Sequence, residues 1–300
     1  MICGLNWYYE FFALNIPRHS IKGDKSFRVM TYNVNAAMQI DDIDAFKNGL
    51  IKEIVKQSPD VLCLQELSLS NFEKIQTSLD SLFGYTDSME IRKEPLRYCL
   101  YSKLPIRNFK RYKCVGSIDT IGFDISAKKE VEQIRKQMPV YSVEIEVQKD
   151  KWVTIFSCHL RSNAYTSARR SMGKDSSWLK GVPLYISNCK IGKTIRDYEA
   201  ENIHKHVVAL TQEGNPVVFA GDLNTSWGSY SLQTIKGNKL KDAWWSRGLG
   251  LGITFDAWHL KLRLDHILYS NHLEIQKVYV AKSVFSDHRP LVADFMLKQD

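Results

Sequence analysis

Four short apolar runs of β type lie far apart in the chain, and each ends in a side chain able to hold a metal ion or move a proton. They are Val61-Leu62-Cys63-Leu64-Gln65-Glu66, Val217-Val218-Phe219-Ala220-Gly221-Asp222-Leu223-Asn224, Leu264-Asp265-His266-Ile267-Leu268 and Ser286-Asp287-His288-Arg289-Pro290. One carboxylate after a strand means little, because about a quarter of residues in a soluble chain are charged and strand ends are exposed. Four such ends indicate one site.

The pattern around them alternates strand and helix. Phe27–Val34 reads as a strand, Ile43–Lys56 has the three-and-four apolar spacing of a helix with Asp41 and Asp42 as caps, and Val61–Leu64 reads as a buried strand. A helix over about Ser70–Phe83 follows. Strands are expected at Tyr98–Tyr101, Val140–Val147, Trp152–His159, Val217–Ala220, Leu264–Tyr269, Ile275–Val280 and Leu291–Met296, with a helix at Arg196–Leu210 and a polar loop or short helix at Lys128–Gln137. Helices in both halves with many strands between them fit two packed sheets rather than an eightfold β/α alternation. The expected architecture is an α/β fold, a four-layer α/β/β/α sandwich of two mixed β-sheets flanked by helices. Without a repeat or low-complexity linker, one catalytic domain is expected over 27–300, preceded by an aromatic arm over 1–26.

At 300 residues and 44% hydrophobic, the chain can build a substantial core without disulfide staples. The excess of 41 Lys and Arg over 33 Asp and Glu leaves +8, which suits an anionic partner: nucleic acid, a phospholipid headgroup or a phosphorylated small molecule. The six cysteines show neither a CxxC pair nor the Cys/His spacing of a zinc site, and read as reduced and non-catalytic. A run of 18 apolar residues is lacking, so the chain as given is expected to be a soluble unit rather than to span a membrane. Its first residues lack the basic region and cleavage site of a signal peptide. Trp7, Tyr8, Tyr9, Phe11 and Phe12 resemble a membrane-interface belt, although an arm packed on the domain explains them as well. Membrane association through a longer native amino terminus stays open.

Glu66 at a sheet rim is placed as a hard divalent cation requires, since Mg²⁺ takes oxygen ligands and binds through one or two carboxylates plus waters and substrate phosphate. Asp222 and Asn224, two apart in an extended segment, share a face and offer an acceptor and a donor to a water and a phosphate oxygen; an Asx turn would explain them equally. Asp265 sits among apolar residues, a costly place for an unpaired charge. His288 is its best partner, and His266 the alternative. Held in this way, His288 becomes a proton acceptor near neutral pH. His159, beside Arg161 and Asn163, can stabilise charge on phosphorus or protonate a leaving oxygen. Asn33 offers an amide to orient a metal ligand. His204 and His206 are expected on a helix surface.

In this order, Thr31-Tyr32-Asn33-Val34-Asn35, Leu64-Gln65-Glu66, Cys158-His159-Leu160, Gly221-Asp222-Leu223-Asn224, Leu264-Asp265 and Ser286-Asp287-His288-Arg289-Pro290 resemble the endonuclease/exonuclease/phosphatase superfamily from about Phe27 to Phe295. The resemblance implies the DNase I-like fold and hydrolysis of phosphoesters with Mg²⁺ or Mn²⁺. It places Glu66 and Asp287 near the metal with Asn33 in support. Asp222 and Asn224 then position water and phosphate beside an Asp265–His288 dyad, and Arg161, Asn163 and Asn35 meet substrate. Asn35 and His159 stand where AP endonucleases tend to carry Asp and Tyr, which disfavours abasic-site repair, and the longer inositol 5-phosphatase signatures are missing. Trp227–Tyr230 and Gly248–Phe255 look more like uncharacterised bacterial members, some preceded by membrane helices. Arg161 to Arg196 carries eight basic residues against one acid, with Tyr165, Trp178 and Tyr185 between them, and reads as a substrate-facing lid. The expected enzyme is a monomeric phosphodiesterase with nucleic acid as substrate. Alternatives are a lipid or small-molecule phosphoesterase and a catalytically dead binding module.

Overall fold

The structure, a computed structural model, describes residues 13–15, 26–34, 43–86, 96–112, 140–162, 178–257 and 260–298. In chain order the strands are β1 (Ala13–Leu14), β2 (Ser26–Asn33), β3 (Val61–Ser68), β4 (Tyr85–Thr86), β5 (Leu96–Ser102), β6 (Ile106–Tyr112), β7 (Val140–Gln148), β8 (Lys151–His159), β9 (Val217–Asp222), β10 (Leu240–Asp242), β11 (Leu249–Gly250), β12 (Phe255–Ala257), β13 (Leu260–Leu262), β14 (Asp265–Ser270), β15 (Leu273–Val280) and β16 (Leu291–Leu297). The helices are α1 (Ile43–Gln57), α2 (Leu69–Leu82), α3 (Trp178–Gln212), α4 (Tyr230–Lys236) and α5 (Ala243–Arg247).

Two six-stranded sheets carry the fold, ordered β15-β16-β2-β3-β5-β4 and β10-β14-β9-β8-β7-β6. Each has one parallel pair in its interior, β2 with β3 and β8 with β9, and the remaining ladders are antiparallel. A parallel pair needs a crossover connection; α1 supplies it in the first sheet and α3 in the second.

Side-chain alternation along the strands sorts the core into layers. Val29, Val61, Cys63 and Leu100 point inward and meet Tyr141, Val143, Ile155, Val218 and Ile267 of the opposite sheet. Their neighbours Met30, Tyr32, Leu62 and Leu64 point outward against Leu50 and Ile54 of α1 and Ile75 and Leu79 of α2. On the second sheet Phe156, Cys158, Phe219 and Leu268 lie beneath Ala200, Ile203 and Val207 of α3 and Leu232 and Ile235 of α4. Burying such a Leu or Phe side chain contributes about 1.5–3 kcal/mol. The result is the expected α/β/β/α sandwich of mixed sheets.

Charged pairs pin both sheets to the elements around them. Arg28 of β2 forms a two-pronged pair with Asp294 of β16, at 2.6 and 2.8 Å, and gives a third bond to the Gln57 carbonyl at the end of α1. In the second sheet Asp242 caps α5 by accepting from the Trp244 and Trp245 amides, and it also receives both contacts from the buried Arg263. Residues 13–15 lie against the same region: β1 pairs with β11, and the Asn15 amide donates to the Trp245 and Gly248 carbonyls.

Several elements depart from the sequence reading. The helix expected from Arg196 begins at Trp178, so much of the basic insert is the first half of a 35-residue helix rather than a loop. Gly181 and Pro183 are poor helix residues and hide this start. His204 is half-buried rather than on the surface, and a Cβ on Gly237 would stand 2.5 Å from its ring, so the glycine makes room for it. His206 is exposed and stacks on Tyr112, ring centroids 4.5 Å apart. Strand β6, with four exposed positions, carried no apolar pattern to predict it. Asp41, Asp42, Lys128–Gln137 and the aromatics of residues 7–12 lie outside the described residues. Cys63, Cys99, Cys158 and Cys189 are free thiols.

Candidate active site

The carboxyl ends of β2, β3, β8 and β9 meet at one rim, where ligands of open α/β sheets bind. Register fixes this convergence: Asn33 stands opposite Gln65, and His159 stands opposite Asp222, which in turn faces Asp265 at the start of β14. A single amide joins the sheets, because Asn33 Nδ2 donates to Glu66 Oε1 at 3.0 Å and to Asp222 Oδ2 at 2.9 Å.

Glu66 reaches that position through backbone strain. The β3–β5 register shifts between Leu64 and Leu67, and Glu66 inside the bulge has φ of 56°. A left-handed non-glycine residue costs about 1–3 kcal/mol and persists where the surroundings over-determine it. Here Glu66 Oε1 lies 3.0 Å from His159 Nε2. Burial works against the Glu66 carboxylate, but His159 and Asn33 outweigh it and hold the group near pKa 2. Asn224 has φ of 49°, and its backbone N–H donates to Asp222 Oδ1 at 2.8 Å across Leu223. Asn224 Nδ2 donates to the Leu160 carbonyl at 2.9 Å and lies 3.1 Å from His159 Nε2. Between them Gly221 is obligatory, since a Cβ there would meet the Cys158 carbonyl oxygen at 1.9 Å.

The second imidazole is held differently. His288 Nδ1 is 2.8 Å from Asp265 Oδ2, leaving Nε2 facing Asp222 Oδ2 at 3.7 Å. His266, the other candidate partner of Asp265, points instead at the Thr225 carbonyl, 3.0 Å from its Nε2. Burial opposes a charge on His288, but Asp265 and Asp222 outweigh it and lift its pKa to about 10. His159 is raised as well: burial lowers it, and Glu66 more than compensates. Asp222 is raised chiefly by burial, which its histidine neighbours offset only in part. Its Oδ2 therefore lies 3.7 Å from the Nε2 of both His159 and His288, between two imidazoles that favour their charged forms.

Two groups of side chains have ligand atoms within 4.8 Å of one another, Glu66–His159–Asp222 and Asp222–Asp265–His288. The donor set fits a hard divalent ion: Glu66 is a carboxylate at neutral pH, Asn33 supplies an amide, and Asp222 is adjacent. Asp287 belongs to neither group. It is half-buried with its pKa raised by desolvation, and Ser286 Oγ donates to it at 3.4 Å. Arg161 follows His159 by two residues, and its peptide is clamped from α3. Glu199 Oε2 accepts from the Arg161 amide at 3.2 Å, and Arg196 Nη1 donates to its carbonyl at 2.7 Å. Asn35 and Asn163 lie outside the described residues.

The sequence from residue 30 to 288 matches the model of the Endonuclease/Exonuclease/phosphatase family. The chain belongs to this family. Members of this family are phosphoester hydrolases. UPF0294 protein VV2535 of Vibrio vulnificus is 30% identical over 131 residues, a match that takes in 42% of this chain and only 42% of that relative. The human nocturnin catalytic domain, solved with a bound sulfate, superposes with a TM-score of 0.61 at 17% identity, covering 93% of this chain and 97% of that one. An endonuclease/exonuclease/phosphatase family protein of Bacteroides thetaiotaomicron gives 0.63 at 14% identity, covering 91% and 98%. ANGEL2, described as a 2′,3′-cyclic phosphatase and solved with adenosine-2′,3′-vanadate, gives 0.60 at 16%, covering 91% and 96%.

Sequence reasoning missed the groups that hold this family's rim in place. Ser286 Oγ donates to the Asn33 carbonyl at 2.9 Å, and Thr254 Oγ1 accepts from the Leu264 and Asp265 amides, each at 3.1 Å. Arg263 and His266 overcome the desolvation of Asp242 and hold its carboxyl well below the usual range. The Glu199 carboxyl is raised to about 7 by burial, against the Arg161 amide and Arg196. Ser286 and His266 lie inside the marked runs without a role assigned to these bonds, whereas Thr254, Arg263 and Glu199 do not end an apolar run.

Proposed function

We propose that the protein is a Mg²⁺-dependent phosphodiesterase, with Mn²⁺ able to substitute and nucleic acid as the first-choice substrate. The placement of Asp222 between His159 and His288 carries this reading, because it combines an oriented carboxylate with two positively biased imidazoles in one buried rim. Glu66 and Asn33 would hold the ion, with Asp287 the nearest further carboxylate in sequence to the His288 dyad. A bound divalent ion neutralises phosphate oxygens and acidifies coordinated water.

The chain's own groups account for the remaining chemistry. The amides of Asn33 and Asn224 fix the two oxygens of Asp222, so the carboxylate orients the attacking water and takes its proton. As the water oxygen bonds to phosphorus, the opposite P–O ester bond breaks. His288, kept charged by Asp265, stabilises the phosphoryl oxygens, while His159 gives a proton to the leaving oxygen. His288 is therefore a standing positive charge rather than the base. The adenosine-2′,3′-vanadate bound to ANGEL2 and the sulfate bound to nocturnin support a phosphate-directed rim and a nucleotide preference.

The test is incubation with Mg²⁺ and a panel of single-stranded DNA, duplex DNA, RNA, sphingomyelin, phosphoinositides and a bis-aryl phosphodiester. Nucleic-acid cleavage that EDTA abolishes is the expected result. Cleavage of lipid with none of nucleic acid would replace this substrate class with the phospholipid one, and activity surviving EDTA would remove the metal from the reading.

A further inference from the structure

The positive surplus of the chain has no part in the rim just described, yet several of its cations gather on one face beside it, next to exposed leucines. Leu14 of β1 is 67% exposed, its cross-strand partner Leu249 of β11 is 55% exposed, and Leu251 is 42% exposed. Single exposed leucines are ordinary, but adjacent ones mark contact surfaces. Phe11 and Phe12 directly precede Ala13, with Trp7, Tyr8 and Tyr9 just before them.

Leu249 is also part of the wall of a cavity of about 520 Å³ that runs past Gly252 and Ile253 to β15, the edge strand of the first sheet. Arg247, Lys277, Lys282 and Arg289 line it, and among the described residues its lining includes no carboxylate. Their interactions leave most of this charge uncompensated. Arg289 pairs with Asp256 at 2.6 Å, Arg247 Nε donates to the Ile275 carbonyl at 3.3 Å, and Lys277 Nζ lies 4.9 Å from the Tyr279 ring centre.

A nucleic-acid strand would account for the cations but not for the leucines, and an apolar protein surface for the leucines but not for the cations. A bilayer interface calls for both: aliphatic and aromatic side chains enter the headgroup boundary while Lys and Arg meet anionic headgroups. We propose that the face formed by Leu14, Leu249, Leu251 and the cation-lined cavity docks the protein on an anionic phospholipid surface, with a phosphate-bearing headgroup in the cavity. Arg289 lines the cavity and directly follows His288, so docking sets the catalytic rim beside the lipid. The docking holds whichever phosphodiester is cleaved.

The test is sedimentation of the whole chain with vesicles of phosphatidylcholine alone and of phosphatidylcholine mixed with phosphatidylglycerol. Sedimentation with the mixed vesicles, weakened by salt, is expected. The paired variants Leu14→Asp with Leu249→Asp, and Lys277→Glu with Lys282→Glu, should each weaken it about tenfold or more. Turnover of a soluble bis-aryl phosphodiester stays at the parent rate in both, which shows that the fold is intact. Equal sedimentation with the two vesicle types, or unchanged sedimentation of both variants, would overturn the proposal. So would a charge-reversed pair that loses oligonucleotide binding but keeps vesicle binding, which would assign the face to nucleic acid.

Discussion

The two histidines that flank Asp222 stand at the same 3.7 Å from its Oδ2 but are supported in opposite ways. His288 has its rear nitrogen on a fully buried Asp265, so its proton belongs to a permanent dyad. His159 turns its Nε2 toward Glu66 at 3.0 Å, and the same nitrogen lies 3.1 Å from Asn224 Nδ2, which also donates to the Leu160 carbonyl. One histidine is set by the fold, and the other is set by whatever Glu66 is doing. In the proposed mechanism, equal distance to a shared carboxylate thus conceals a division of labour between fixed charge and proton delivery.

The largest expected effect removes what the two share. Asp222→Ala should lower kcat by about 10³-fold or more with the thermal transition retained, since orientation and proton acceptance are lost together; a near-parental rate would take Asp222 out of the mechanism. His288→Ala should cost about 10²–10⁴-fold. Asp265→Asn should add little in the His288→Ala background, because a dyad acts as a unit. Additive losses in that double-mutant cycle would dissolve the dyad. His159→Gln should cost about 10²-fold, while Glu66→Ala should raise the Mg²⁺ concentration for half-maximal rate tenfold or more. An unchanged Mg²⁺ requirement would separate Glu66 from the ion.

A further effect, read in stability rather than in rate, concerns the support behind His159. Glu199 has a folded pKa raised from 4.5 to about 7. The folded protein therefore holds a proton that the unfolded chain has released, and the resulting stability is complete below pH 4.5 and lost as pH rises through 7. Glu199→Gln should flatten that slope, changing the pH 4.5-to-7 difference by on the order of 3 kcal/mol. Chemical denaturation at both pH values measures it, and parallel curves for parent and variant would place an ionised Glu199 in the folded protein.

What the sequence made legible were coincidences of two local signals. Val61–Leu64 and Val217–Ala220 announce buried strands, and Glu66 and Asp222 announce their ends, so both strands and both acids could be read together. Asp265 was legible by contradiction, a charge among apolar residues that demanded a partner. The bulge at Glu66 was not, because no glycine marks the left-handed turn. The first half of α3 was hidden by Gly181 and Pro183, whose helical cost is met by the length of the element. Arg196 was read as the last cation of a substrate-facing lid; the tertiary fold turns it, 5% exposed, onto the Arg161 carbonyl.

Strand order also governs when such a molecule can come into being. β16 lies between β15 and β2, and its Asp294 grips Arg28 near the other end of the chain. A ribosome must deliver every residue through Leu297 before the first sheet can close, so β2 waits with one unpaired edge until β16 has been made. The segment that brings His288 arrives just ahead of that closing strand.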